Sequence, residues 1–245
     1  MLRASRHEIL ARLSSCDVLL DVGGWADPLD RADWVIDLMP YESRGLYERE
    51  GWVEGGSGGD ERFTRDTWIQ RDICDRAPWP FEDDQFDFVT CSHTLEDIRD
   101  PVWVCSEMAR VGRAGYIEVP SRLEEQSWGV TGPFVGWEHH RWLIDVDPDA
   151  RAIAFALKPH GIHTSAGVYF PPGFHASLSA RERVETLWWE DHFSFSERVF
   201  VAESMDRYLA DLVDRELASR GLQRRRPRNV RQRLAARLVG SRPRP

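Results

Sequence analysis

The stretch FDFVTCSHTLEDIRDPVWVCSEMARVGRAGYIEVP, residues 86–120, decides the fold class. Residues 86–91 form a short apolar and β-branched run. Residues 101–111 place Val104, Met108 and Val111 at helical spacing behind Pro101, and Gly112 and Gly115 frame a stop. Residues 116–119 make a second apolar run closed by Pro120. A strand, a helix of about three turns and a strand in that order predict a parallel pair joined by a right-handed crossover.

Working outward, DVLLDV at 17–22 is a run ending in Gly23-Gly24, WVIDL at 34–38 is a second, and residues 67–71 are a third. Continuous apolar strands bounded by glycine or proline suit a sheet covered on both faces. The expectation is therefore an α/β fold with a doubly wound, mostly parallel sheet. Residues 1–16 have helical spacing at Ile9, Leu10 and Leu13, and the glycine-rich stretch from Gly45 to Asp60 reads as a mobile surface loop. Beyond Pro120 the chain turns aromatic and histidine-rich. Residues 151–158 read as helix, residues 183–189 and 193–201 as an antiparallel C-terminal hairpin, and residues 203–217 as an amphipathic helix. The organisation expected is a single domain over 1–217, with a first half at 1–120 and a second at 121–217, followed by an Arg-rich tail at 218–245.

Charge follows that division. The tail from Ala218 holds ten arginines and no acid, which leaves 22 basic and 41 acidic residues in the body. An acidic body argues against broad nucleic-acid binding, and no apolar run has the length of a transmembrane segment. The first twenty residues lack a signal-peptide apolar core. Cys16, Cys74, Cys91 and Cys105 show no C-x-x-C spacing, so a cytoplasmic setting with reduced thiols is expected. The adjacent Trp188 and Trp189 would alternate faces of a strand, presenting one ring to a second copy in a homodimer.

In a doubly wound sheet ligands bind beyond the carboxyl ends of the strands, at the point where strand order reverses. Asp21, Gly23 and Gly24 close the first strand, where glycine lets backbone approach a ligand and a following helix N-terminus would receive a carboxylate. Asp37 ends the second strand, where an acid can take two ribose hydroxyls. Asp72 and Ile73 follow the third, placed to hold an adenine edge. Several nucleotide cofactors fit that pattern equally well. A dinucleotide would want G-x-G-x-x-G, which DVGGWADP at 21–28 does not supply.

The block from Arg71 to Ser121 resembles the central part of class I, Rossmann-like S-adenosylmethionine-dependent methyltransferases of the type 11 group. It carries Asp72, Pro80-Phe81, Asp83-Asp84, Phe86-Asp87, Leu95-Glu96, Glu107, Arg110-Val111 and Gly115 in the family's order, and the resemblance extends over residues 17–121. It implies S-adenosyl-L-methionine as donor and S-adenosyl-L-homocysteine as product. It also implies that Asp21, Gly23 and Gly24 flank the methionine part, Asp37 the ribose and Asp72 with Ile73 the adenine, with Cys91, Ser92 and His93 beneath the sulfonium. The chain departs from the family at Trp25, Ala26 and Asp27, which replace later glycines, and at Asp97, which replaces a frequent histidine.

Methyl transfer to a hydroxyl needs alignment and a proton acceptor. The segment GWEHHRW at 136–142 supplies His139 and His140 as candidate bases, with Trp137, Glu138 and Arg141 as acceptor-binding groups. Glu118 and Ser121, around the end of the fifth strand, join them. No H-x-x-x-H or similar spacing is present, and no metal is expected. GYIEVPSRLEEQ followed by GWEHHRW also resembles a bacterial methyltransferase subgroup associated with glycan and polysaccharide biosynthesis, implying a small-molecule or glycan acceptor and O-methylation. Transfer to nitrogen or carbon, or a non-catalytic cofactor-binding scaffold, are the alternatives.

Overall fold

A computed structural model describes residues 1–50, 61–165 and 167–222. In chain order its elements are α1 (Arg3–Arg12), β1 (Leu19–Val22), β2 (Trp34–Asp37), α2 (Leu46–Arg49), β3 (Trp68–Gln70), β4 (Phe88–Ser92), α3 (Pro101–Val111) and β5 (Ala114–Pro120). These are followed by α4 (Arg122–Glu125), β6 (Trp142–Asp147), β7 (Ala152–Leu157), α5 (Phe174–Ser177), β8 (Val184–Glu190), β9 (Ser194–Arg198) and α6 (Ala202–Ser219).

Six strands form one sheet in the order β3-β2-β1-β4-β5-β8, with every pairing parallel except β5 with β8. The order reverses between β1 and β4, so the carboxyl ends of these two strands flank the switch point. The unit β4-α3-β5 matches the sequence expectation. Pro101 opens α3 without wasting an amide, the Asp100 carboxylate accepts from Trp103 N at 3.0 Å, and Gly112 ends the helix. Val104, Cys105, Met108 and Val111 then bury against Leu20, Val89, Ile117 and Leu187, while Ile9 of α1 packs on the opposite face with Val35, Phe88 and Tyr116.

Three expectations are corrected. Residues 151–158 do not form a helix: β7 pairs antiparallel with β6. Ile153 and Phe155 face the main core beside Trp142 and Ile144, whereas Ala156 faces a second cluster with Leu143, Ile162 and Leu209. An element buried on both faces has no alternation to read, and its alanines imitate helix propensity. The C-terminal hairpin is also absent. β8 runs antiparallel along the whole of β5, from Ala114 opposite Glu190 to Pro120 opposite Val184, and β9 joins β7 in parallel in a separate three-stranded sheet, β6-β7-β9. The cause lies in the glycines beside β5. A Cβ on Gly115 would lie 2.5 Å from the Trp189 ring and one on Gly112 3.1 Å from it, so these positions seat the tryptophan rather than only ending a helix. Asp191, at φ +62, then turns the chain toward the small sheet. Third, no helix follows β1. The Asp21 carboxylate holds the turn instead, accepting from Leu29 N at 2.9 Å and Thr90 Oγ1 at 3.0 Å.

Trp189 is buried, and Trp188 carries the Arg12 guanidinium 3.8 Å from its ring, so neither presents a bare face to a second copy. Of the glycine-rich loop, residues 51–60 lie outside the described residues. So do residues 223–245 of the Arg-rich tail; before them, Arg220 pairs with Glu182 and Glu216. No helix among the described residues is long and apolar enough to cross a membrane.

Candidate active site

The strand ends place the expected donor-side residues around the switch point, with roles that differ from residue to residue. Asp37, 8% exposed, uses Oδ2 to accept from Trp25 N at 3.0 Å and Oδ1 to accept from Met39 N at 2.8 Å. Burial raises its pKa against those hydrogen bonds. Burial likewise lifts Asp21 to about 6, against the hydrogen bonds from Leu29 and Thr90. The glycine pair is filled by protein. Gly23, at φ +73, lies so close to Thr94 that a Cβ would sit 2.3 Å from Oγ1, and a Cβ on Gly24 would meet Asp21 Oδ2 at 2.4 Å.

Asp72 is tied to Arg99 at 2.6 Å and to Cys74 N at 2.9 Å. These partners outweigh desolvation and hold its carboxyl below the usual range. Ile73 and Cys91 are core residues, and burial pushes the Cys91 thiol far up, so it is no nucleophile. Ser92 ends β4 with a buried hydroxyl that has no hydrogen-bond partner.

His93, at φ +52, bridges two carboxylates, with Nε2 3.3 Å from Glu118 Oε1 and Nδ1 3.4 Å from Glu96 Oε1. Burial opposes its charge, but the two carboxylates win and raise it to about 9. Glu118 is fully buried and committed: Oε1 accepts from Leu2 N at 2.8 Å and Oε2 from Tyr116 Oη at 2.6 Å. Burial would raise its pKa; His93, the terminal amino group and Tyr116 bring it to about 2. Ser121 is the N-cap of α4, accepting from Glu124 N and donating to Glu182 O at 2.6 Å. Glu118 and Ser121, expected to meet the acceptor, are thus buried with their polar atoms hydrogen-bonded within the protein.

The histidine segment docks directly on the loop after β4. Arg141 N donates to Glu96 O at 2.7 Å, and Trp142 Nε1 donates to Ile98 O at 2.8 Å. This brings His139 Nε2 to 4.0 Å and His140 Nε2 to 3.8 Å from Asp97 Oδ1. His140 is nearly enclosed, stacked on Trp137 with ring centres 5.8 Å apart. Its Nδ1 meets Glu125 Oε1 at 2.6 Å, while Lys158 Nζ donates to Glu125 Oε2 at 2.9 Å and Trp137 O at 2.8 Å. Desolvation disfavours the His140 cation, yet Glu125, Glu96 and Asp97 raise its pKa. Glu125, though buried, is held low by His140 and Lys158. Gly136, at φ +64, completes the seat: a Cβ there would lie 2.8 Å from Glu125 Oε2. Glu138 and Arg141 are exposed beside this cluster.

Sequence reasoning did not identify Glu125, Lys158, Glu96 or Asp97 as site residues. Lys158 carried a signal, being the single lysine of the chain. Glu125 and Asp97 carried none beyond their place in quoted motifs, because their role depends on which loops meet.

Residues 58–117, less than half of the chain, match the family model of the methyltransferase domain. No curated protein matches the chain. Among solved structures, a chain in the complex of the Haloferax volcanii Trm112 methyltransferase activator with its methyltransferase is 18% identical, with 47% of this chain and 50% of that one covered, at a TM-score of 0.33. An Aquifex aeolicus SAM-dependent methyltransferase is 17% identical over 52% of this chain and 69% of that one, at a TM-score of 0.34. A Haemonchus contortus phosphoethanolamine N-methyltransferase 2, solved with phosphomonomethylethanolamine and S-adenosylhomocysteine, is 20% identical over 48% and 28%, at 0.34. The chain spans about half the length of the first structures it matches.

Proposed function

We propose that this chain is an S-adenosylmethionine-dependent methyltransferase that methylates a hydroxyl of a sugar, glycan or other small molecule. The observation that carries the reading is the docking of His139 and His140 on the loop after β4 through Arg141 N and Glu96 O, which sets a polar cluster beside the switch point. The methyltransferase-domain match over residues 58–117 supports the donor.

The donor-side residues fit that group in part. Asp37 is the acid for the ribose hydroxyls, each of its oxygens retaining a second lone pair. The unpartnered Ser92 Oγ is a polar group left for a ligand at the mouth of β4. When bound, the donor supplies a methyl carbon activated by sulfonium. The chain's own task is to hold the acceptor oxygen in line and remove its proton. His140 is fixed through Nδ1 by Glu125, leaving Nε2 toward the open side with His139 and Asp97. Trp137 offers a flat face for a sugar, and the exposed Arg141 and Glu138 can contact an acceptor's polar groups. Four unpaired cysteines support a reducing, cytoplasmic setting.

Calorimetric titration with S-adenosylhomocysteine tests the donor. The wild type binds, and Asp37→Ala weakens binding by about tenfold or more, the loss of one or two hydrogen bonds to a charged acceptor. No binding by the wild type sinks the reading. A screen of sugar and glycan acceptors with His139→Ala and His140→Ala then tests the cluster, and unchanged turnover in both variants removes it. The second reading is a scaffold without turnover, favoured by the filled glycine pair at Gly23 and Gly24. It predicts product binding without methyl transfer to any acceptor, or no binding at all. Product analysis also separates oxygen from nitrogen or carbon methylation.

A further inference from the structure

We infer that Asp97, His139 and His140 form a binding site for a divalent transition-metal ion of the Zn²⁺ class. One donor atom from each lies within 4.8 Å of the others, and both Nε2 atoms lie within 4.0 Å of Asp97 Oδ1. Such an ion bonds nitrogen and oxygen at about 2.0–2.2 Å. Donors on one ion then stand about 3.4 Å apart in tetrahedral geometry. The separations of 3.8 and 4.0 Å to Asp97 Oδ1 thus need only small side-chain adjustments.

Two further observations point to a cation. First, His140 already has the support typical of a metal-bound imidazole. Glu125 takes its Nδ1, which directs the Nε2 lone pair into the cluster, and Lys158 and Gly136 fix Glu125 in turn. Second, carboxylate oxygens beside the cluster lack hydrogen bonds, Glu96 having only the His93 imidazole at 3.4 Å and Asp97 the two cluster imidazoles at 3.8 and 4.0 Å. Asp97 Oδ1 is buried without a hydrogen-bond partner, and both oxygens of Glu96, 1% exposed, lack one too. Two imidazoles with one carboxylate select a borderline ion rather than Mg²⁺ or Ca²⁺. Three protein donors leave a coordination position on the open side, where the side chains of His139 and Asp97 are 59% and 41% exposed. An acceptor hydroxyl bound there would be acidified by the ion and lose its proton to solvent, the two imidazoles then serving as ligands in place of the base. No ligand-motif spacing marks the site in the sequence, because its histidines are adjacent and its carboxylate comes from another loop.

The inference stands apart from the donor, and its test separates the two. The full chain, stripped with a chelator, is titrated with Co²⁺ and followed by visible absorption, with Zn²⁺ as competitor. One equivalent of Co²⁺ binds with d–d bands, and Zn²⁺ displaces it. Asp97→Ala and His139→Ala, both at partly exposed positions, each weaken binding at least about tenfold. They keep the wild-type melting temperature within a few degrees and their affinity for S-adenosylhomocysteine. Absence of Co²⁺ and Zn²⁺ binding by the wild type, or equal binding by all three proteins, overturns the site. Metal binding without S-adenosylhomocysteine binding leaves the site standing and removes the donor.

Discussion

Replacing Lys158 by Met tests the physical basis of the cluster. The Lys158 side chain is 5% exposed, and its ammonium makes two hydrogen bonds, to Glu125 Oε2 at 2.9 Å and Trp137 O at 2.8 Å. Methionine preserves most of the volume, so little of the effect comes from a cavity. Removing one partner of a buried ion pair costs about 3–5 kcal/mol because the other charge is left uncompensated. Here His140 still bonds Glu125 at 2.6 Å, which places the loss near the lower end. The orphaned Trp137 carbonyl adds about 1 kcal/mol. The expected destabilisation is therefore about 3–4 kcal/mol, or a fall in melting temperature of about 6–16 °C for a chain of this size. Urea unfolding should show the lower midpoint with an unchanged slope. Glu125→Gln alone should also destabilise, and the double variant should be less destabilised than the sum by about 1 kcal/mol or more. A Lys158→Met loss below about 1 kcal/mol, or strict additivity of the two changes, refutes the buried network as a source of stability.

Gly115→Ala should cost about 1–3 kcal/mol by overpacking, since its Cβ would lie 2.4 Å from Val89 O and 2.5 Å from the Trp189 ring. A urea midpoint equal to wild type contradicts the seating of β8 described above. His93 sets a pH dependence. Its folded pKa of about 9 lies above the ordinary imidazole value of 6.5, so its contribution is complete below 6.5 and fades as pH rises through about 9. Unfolding midpoints of His93→Gln should fall less steeply than wild type across that window, and parallel curves exclude the bridge to Glu96 and Glu118.

The sequence made the β4-α3-β5 unit legible because its signals are local: a proline at the helix start, an apolar stripe and closing glycines. The second half was less legible because long-range pairing decided it. β7 is covered on both faces, so Ala154 and Ala156 gave no alternation, and the short link from β8 to β9 looked like a hairpin until Trp189 found its seat on Gly115. The same distinction applies to the site. Asp37 was readable from its place at a strand end. Its neighbours Asp21, Gly23 and Gly24 also lie at a strand end, but they pack against Leu29, Thr90 and Thr94, which no spacing reveals. His140 stands out as a residue type, whereas its partners come from α4 and the region just after β7, on other elements.

That origin bears on how the cluster is held together. Glu125 ends α4, His140 precedes β6 and Lys158 follows β7, so the trio comes together only when the three-stranded sheet is seated against the six-stranded one. A transient opening of the small sheet leaves Asp37 and the ends of β1 and β4 in place. It dismantles the histidine cluster at once. The geometry of the cluster is thus tied to the seating of the small sheet, whereas that of the strand ends is not.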